Sequence, residues 1–351
     1  MLRSFSVSNF RGFRSLAVER LKRVNIITGR NNVGKTALLE ALFLSSGHFN
    51  PQLPMIVNAW RGLDRFSPRA DDVWGWLFLD KALDKPIELT ATESSGEVHR
   101  LRITCGPRGA ATLEPGSPPV LSTEAWSAPT GSELILDYES SSGRRGTARA
   151  VLEQKGMEIQ PAENPNGLEA IFLSSQGVPG KEDAERYSRL AAANRQQEVV
   201  ESLRTIEPRL RGLEVLVFAE LPTLHADLGL SRKIPVRLVG AGTTRLLSII
   251  LALLSAPRGL AFLDEIENGI HHSVLDSLWR VVDRASRSSG AQVFATTHSW
   301  EAIVAAHRVF TNGSGYDLAV YRLDRRGDLI EASAYDQETL DAAIGANLEV
   351  R

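Results

Sequence analysis

Apolar and polar positions alternate from the first residues. Leu2, Phe5, Val7 and Phe10 predict a strand ending in Asn9-Phe10-Arg11-Gly12-Phe13, and Leu16 to Val18 predict a second. A short apolar run, Val24-Asn-Ile-Ile-Thr28, then reads as a strand, and Ala37-Leu-Leu-Glu-Ala-Leu-Phe-Leu44 as a helix. Closely spaced strands before that run predict a small antiparallel layer beside a main sheet. Residues 47–85 carry Pro51, Pro54, Trp60, Phe66, Trp74 and Trp76 and read as short helices packed on loops. From Pro86 to about Ile159 the pattern turns to strands. Ile87–Thr92 and Val98–Ile103 flank Ser-Ser-Gly, and Leu134–Tyr138 and Ala148–Leu152 flank Ser-Ser-Ser-Gly, two hairpin patterns. Residues 106–133, rich in Gly, Pro, Ser and Thr, read as a loop. These strands predict a β-lobe inserted after the first helix, with a separate β-barrel as the alternative.

Ala170–Leu173 reads as a buried strand, Glu182 to about Ile206 as helical up to Pro208, and no seven-residue repeat predicts a long coiled coil. Leu213–Phe218, Leu224–Leu230 and Pro235–Val239 read as strands. The apolar stretch Leu246–Leu254 predicts a helix, Leu260–Leu263 a buried strand, Ile270–Ala285 a helix with its stripe at Ile270, Val274, Leu278 and Val281, and Gln292 onward another strand. A strand pair around Arg325-Arg-Gly-Asp328 and a short helix close the chain.

Chemistry enters between the third strand and the first helix. Gly29, Arg30, Asn31, Asn32, Val33, Gly34, Lys35 and Thr36 spell G-x-x-x-x-G-K-[ST], with Ala37 opening the helical run. Glycines let backbone N–H groups close on phosphate oxygens, and the helix adds its positive dipole end. Lys35 is placed for the β- and γ-phosphates and Thr36 for Mg²⁺. A bare glycine turn is the alternative, disfavoured by the correct flanks on both sides.

Three downstream stretches fit the same site. Gly240-Ala241-Gly242-Thr243-Thr244-Arg245 puts small residues at a helix start, an anion site by backbone approach and dipole, though such a turn alone is often packing. Asp264 and Glu265 end a buried strand, the sheet edge where α/β proteins bind ligands. There Asp264 would hold Mg²⁺ through water and Glu265 would polarise the attacking water. His298, ending the strand from Gln292, could donate a hydrogen bond to the γ-phosphate; a structural role is the alternative. His271 and His272 are adjacent in a predicted helix, which argues against a shared metal.

Composition changes this picture little. The chain has 351 residues, 43% hydrophobic and 23% charged, with a net charge of −2 that gives no global argument for nucleic acid. Locally, Arg3, Arg11, Arg14, Arg20, Lys22, Arg23, Arg30 and Lys35 face only Glu19, which keeps a DNA-binding surface open as one reading. Cys105 is the sole cysteine, so an intrachain disulfide and a cysteine-built zinc site are excluded. No run approaches the ~18 apolar residues of a membrane span, and the start lacks a signal peptide's apolar core, so a cytoplasmic protein with no membrane partner is expected.

The P-loop, the glycine-rich turn, Leu263-Asp264-Glu265 and Thr296-Thr-His-Ser299, in this order, resemble ABC-type ATPases of the SMC/RecF branch. Phe10-Arg-Gly-Phe-Arg14 looks like that branch's Asn-Phe-Arg-x-Phe, and Gly240-Ala-Gly-Thr-Thr-Arg-Leu and Asp264–His271 look most like short OLD-type ATPases. The resemblance covers about residues 1–46 and 235–311. It implies an α/β fold of ABC/SMC-head type, a mainly parallel sheet with flanking helices plus the β-lobe. Residues 1–46 and 235–311 would form the nucleotide core, 47–234 the inserted lobe and 312–351 a C-terminal strand pair and helix. It also implies ATP and Mg²⁺ as cofactors, Glu265, His298 and Lys35 as catalytic residues, and a homodimer in which Gly240, Ala241, Gly242 and Thr243 touch the γ-phosphate bound by the opposite copy. Gly240 stands where that family's signature has serine, so one hydroxyl contact is lost. Glu267-Asn268 would link the two sites, and Gln176 is the candidate for a glutamine loop. OLD-like relatives often carry a TOPRIM nuclease; about fifty residues follow His298, too few for one, so a separate effector protein, nuclease or toxin, is expected. A P-loop phosphotransferase acting on a small molecule is the alternative, and a non-catalytic nucleotide sensor is disfavoured by the intact Asp264-Glu265 pair.

Overall fold

The computed structural model describes residues 1–63, 67, 69–108, 131–153, 156–162, 167–175, 180–218, 220–313 and 315–350. The initial alternation forms β1 (Leu2–Phe10) and β2 (Phe13–Glu19), antiparallel, with Phe5 opposite Val18 and Val7 opposite Leu16. β3 (Val24–Gly29) runs into α1 (Lys35–Ser46), followed by the short α2 (Leu53–Ala59) and α3 (Ala70–Val73). The two hairpin patterns become β4 (Ile87–Glu93) with β5 (Val98–Pro107), and β6 (Ser132–Ser140) with β7 (Arg145–Glu153), and β8 (Gly156–Gln160) adds a last strand. Because β1 also pairs with β4, these strands make one antiparallel sheet of order β2-β1-β4-β5-β6-β7-β8. The early pair and the later hairpins are therefore one layer, open at β2 and β8, not a closed barrel.

The second half supplies β9 (Ala170–Leu173), α4 (Lys181–Ala192), α5 (Gln196–Leu203), the small sheet β10 (Gly212–Phe218), β11 (Leu221–Asp227) and β12 (Ile234–Pro235), then α6 (Ala241–Ser255) and β13 (Leu260–Leu263). It ends with α7 (Leu275–Ser289), β14 (Gln292–Thr296), α8 (Trp300–Thr311), β15 (Leu318–Arg326), β16 (Leu329–Tyr335) and α9 (Gln337–Gly345). The main sheet has the order β16-β15-β3-β14-β13-β9 and is parallel apart from the edge strand β16. A parallel sheet is covered on both faces, which is why β9 and β13 are continuously apolar and why β3, β13 and β14 are buried throughout. Phe262, Phe294, Tyr321 and Leu323 face α1 and the antiparallel sheet, and Val24, Ile26, Leu263 and Val293 face α6 and α7. Sandwiched between two sheets, α1 buries every residue except Thr36, so its sequence carries no polar face.

Three local expectations differ from the structure. The helical stretch from Glu182 is two helices, α4 and α5, separated where Asn194 adopts φ 57°, a left-handed turn that Asn tolerates. Pro235–Val239 is not a strand: only Ile234 and Pro235 pair with β11, and Val236–Leu238 winds into a 3₁₀ turn. Pro235 lacks a ladder donor, and the Val239 N–H is taken by the Val236 carbonyl. The helix expected from Ile270 starts at Leu275, after a 3₁₀ turn over His272–Val274 capped by the His271 side chain. Most of the predicted loop at 106–133, and Gln176, lie outside the described residues.

Candidate nucleotide site

The loop after β3 is shaped by what lies beneath it. Gly29 has φ 135°, and a Cβ there would run into the Leu323 carbonyl of β15. Gly34 has φ 105°, and a Cβ would stand 2.8 Å from Phe13 Cζ at the β1–β2 turn. Asn32 is left-handed at φ 61°. Val33 and Ala37 are buried and offer only backbone to a ligand, whereas Arg30, Asn31 and Asn32 are exposed. Among the described residues the backbone N–H groups from Asn31 to Thr36 bond no protein acceptor, leaving a run of free donors at a helix start. Lys35 is buried, and its Nζ donates to the carbonyls of Gly29 (2.8 Å) and Arg30 (2.9 Å). Burial lowers its pKa from the ordinary lysine value, opposed by the carboxylates of Glu265, Asp264 and Glu267.

β13 and β14 carry the opposite wall. Asp264, buried, accepts from Thr36 Oγ1 (2.9 Å) and Thr296 Oγ1 (2.7 Å) on the same Oδ1. Thr296 Oγ1 in turn receives the Glu265 N–H at 2.7 Å. Neighbouring hydroxyl and carboxylate oxygens are hard donors suited to Mg²⁺, so Thr36 and Asp264 fit that ion, directly or through water. Glu265 is left-handed at φ 46° and half-exposed, with Oε1 3.6 Å from His298 Nε2. Glu267 Oε1 accepts the N–H groups of His298 (2.8 Å) and Ser299 (3.2 Å), so this carboxylate holds the histidine in place. The family resemblance implies only a linking role for Glu267. Its position two residues past Glu265 was the available signal.

The structure thus gathers Lys35, Thr36, Asp264, Glu265 and His298 around one loop. Gly240, Ala241, Gly242 and Thr243 open α6 elsewhere: Gly240 has φ 156°, and a Cβ on Gly242 would come 3.1 Å from the Gly269 carbonyl. No hydrogen bond among the described residues joins this turn to residues 29–36. Arg11, counted above in the basic excess, is instead taken up internally: its Nε lies 2.6 Å from Glu40 on α1, and Arg61 holds the other Glu40 oxygen at 2.8 Å. Burial lowers the Arg11 pKa against the pull of Glu40.

A P-loop joined to an acidic pair at the end of the parallel strand β13, one strand removed from β3, with an antiparallel sheet stacked over the P-loop helix, defines a P-loop NTPase fold of the ABC/SMC-head type. Comparison with known proteins agrees. A family model described as "AAA ATPase domain" matches residues 1–105, and one described as "AAA domain, putative AbiEii toxin, Type IV TA system" matches residues 158–305. The chain is 22% identical over 323 residues to an ATP/GTP phosphatase of Helicobacter pylori, covering 86% of each protein. It is 48% identical over 44 residues to an uncharacterized protein of Methanocaldococcus jannaschii, covering 12% of this chain and 20% of that one. A crystal structure of an SMC head bound to the C-winged helix domain of ScpA aligns over 97% of this chain and 99% of that one, with TM-score 0.51 at 9% identity, a likeness of fold. Together the family matches support an ATPase, and the SMC head supports the fold. No helix among the described residues is long and apolar enough to cross a membrane.

Proposed function

We propose that this protein is an ATP-hydrolysing switch in which two copies close over two ATP molecules and couple nucleotide state to a separate effector protein or to DNA. The observation that carries the reading is the Thr36–Asp264–Thr296–Glu265 chain of hydrogen bonds opposite the free N–H run of the P-loop, with His298 beside Glu265. The loop N–H groups and Lys35 bind the triphosphate, Lys35 exchanging its two carbonyl partners for phosphate oxygens. Thr36 and Asp264 hold Mg²⁺, which supplies charge neutralisation on the phosphates. Glu265 orients a water and takes its proton, and His298 donates toward the γ-phosphate from a backbone fixed by Glu267.

The paired arrangement is supported by the 240–243 turn, a helix start with Ala241 exposed and Gly240, Gly242 and Thr243 partly exposed, which makes no hydrogen bond to the chain's own P-loop among the described residues. Closure over ATP and release after hydrolysis would shift the populations of two shapes that a partner reads. The ATPase-type matches, the resemblance to OLD-type proteins and the toxin-family description favour an effector nuclease or toxin in bacterial defence, with DNA maintenance as the neighbouring role. The test is mass in solution for Glu265→Gln with and without ATP. An ATP-dependent dimer with trapped nucleotide is expected; a monomer at every ATP concentration would favour a small-molecule phosphotransferase. DNA coupling is checked by adding duplex to the turnover assay across salt concentrations, where unchanged rates remove it.

A further inference from the structure

The peptide between Asp264 and Glu265 is held at both of its polar atoms. Its N–H donates to Thr296 Oγ1 at 2.7 Å, and its carbonyl accepts from a terminal nitrogen of Arg245. The other terminal nitrogen of Arg245 donates to the Ser174 carbonyl, just past β9, at 3.0 Å. Glu265 sits at φ 46°, where a non-glycine residue persists only if its surroundings hold it. The guanidinium lies among the carboxylates of Asp264, Glu265, Glu267 and Asp183, yet it spends its terminal donors on two backbone carbonyls, and its Nε is buried without a partner among the described residues. A planar fork bridging two fixed acceptors is a geometric clamp that a lysine ammonium cannot copy. Arg245 belongs to the second turn of α6, whose first turn is the Gly240–Thr243 segment, and that segment packs on Gly269 of the loop following Glu265.

We propose that Arg245 is a positioning residue: it fixes the peptide carrying Asp264 and Glu265 and ties it to the first turn of α6, so that a nucleotide held by that turn sets the geometry of the chain's own catalytic pair. This rests on the paired reading above, in which the turn serves the opposite copy's ATP. The two ATP sites are then linked through one rigid side chain in each protomer, and each Arg245 acts on the strand end of its own chain.

The test uses Arg245→Lys and Arg245→Gln. Both should lower kcat about 10- to 100-fold, the scale of a small misplacement of a catalytic group. Apparent KM for ATP and thermal midpoint should stay near wild type, because the P-loop is untouched. A variant that instead loses stability and ATP affinity together, with kcat per folded molecule preserved, would reduce Arg245 to packing and overturn the proposal. Mixing chains then decides on which pocket it acts. In an equal mixture of Lys35→Ala and Arg245→Lys, the only intact P-loop belongs to the Arg245→Lys chain, so turnover stays at the level of the parents if Arg245 works on its own strand end. Recovery toward about a quarter of wild-type turnover, the share expected when random pairing makes half of the dimers mixed with one sound pocket each, would place its action in the opposite pocket and overturn the proposal. Lys35→Ala mixed with Thr243→Glu is the control for pairing itself. Recovery there supports composite pockets, and its absence overturns the paired reading and the linkage with it, independently of the kcat result.

Discussion

His48 lies just past α1, stacked on Tyr138 with ring centroids 3.6 Å apart, and its Nδ1 meets the Ser45 carbonyl at 3.3 Å. Burial pulls its pKa down to about 4, below the unfolded value near 6.5. The unfolded chain therefore binds the proton first on acidification. Stability from this site is whole above pH ~6.5 and is lost as pH falls toward 4, by about 3 kcal/mol at most. His48→Phe should flatten that part of the stability profile, measured by denaturant unfolding between pH 7 and 4; an unchanged slope counts against this assignment. At this scale the candidate site was largely legible. Lys35, Thr36, Asp264 and Glu265 stand in short motifs whose chemistry is local to the backbone, and the structure brings them together. Arg11 with Glu40 was not legible, because the two meet only when the β1–β2 turn folds over α1. Glu267 escaped for a similar reason: the N–H groups it accepts, of His298 and Ser299, lie just past β14, some thirty residues along the chain.

Among elements, α1 shows what a helix loses in sequence signal when both sides are covered. Its residues read as helix from their run of leucines and alanines, yet nothing in the pattern says that one side meets an antiparallel sheet and the other a parallel one. Its first turn is fixed by Gly34, whose φ of 105° and contact with Phe13 both exclude a side chain. Gly34→Ala is expected to cost about 1–3 kcal/mol of stability and to weaken ATP binding more than tenfold, read from a melt and a titration on the same sample. Full ATP affinity would mean that the loop adapts without its present seat on Phe13. The short, uniformly apolar β13 was readable as a buried parallel strand, and β14 as a strand. The α4–α5 break and the 3₁₀ turns at 236–238 and 272–274 were not, because each depends on one residue's local hydrogen bonding, which periodicity does not register.

For the whole molecule, the decisive joint is between the sheets. Gln292, buried at the start of β14, accepts the Leu2 N–H at 2.8 Å and donates to the carbonyls of Leu2 (2.9 Å) and Lys22 (2.8 Å). Tyr321 of β15 donates its hydroxyl to the Glu19 carbonyl at 2.7 Å. These bonds fasten the outer antiparallel sheet to the one that carries the P-loop. Gln292→Leu removes three hydrogen bonds, the Lys22 carbonyl keeping a second donor in Asn25 Nδ2 at 2.7 Å, and is expected to cost about 2–4 kcal/mol, with faster amide exchange in β1 than in β14. Equal exchange in both would show that the sheets part together. The union of the first two strands with the distant hairpins could not be read from sequence, since strand partners in a sheet are chosen by register across long separations, not by proximity along the chain.

The Phe13 ring resting on Gly34 has a further consequence. It puts a side chain of the outer sheet directly against the P-loop. Whatever grips that sheet more firmly once ATP has seated must, by thermodynamic reciprocity, make ATP leave more reluctantly and by the same factor. A ligand for the far face would then reveal itself in the nucleotide's own binding curve.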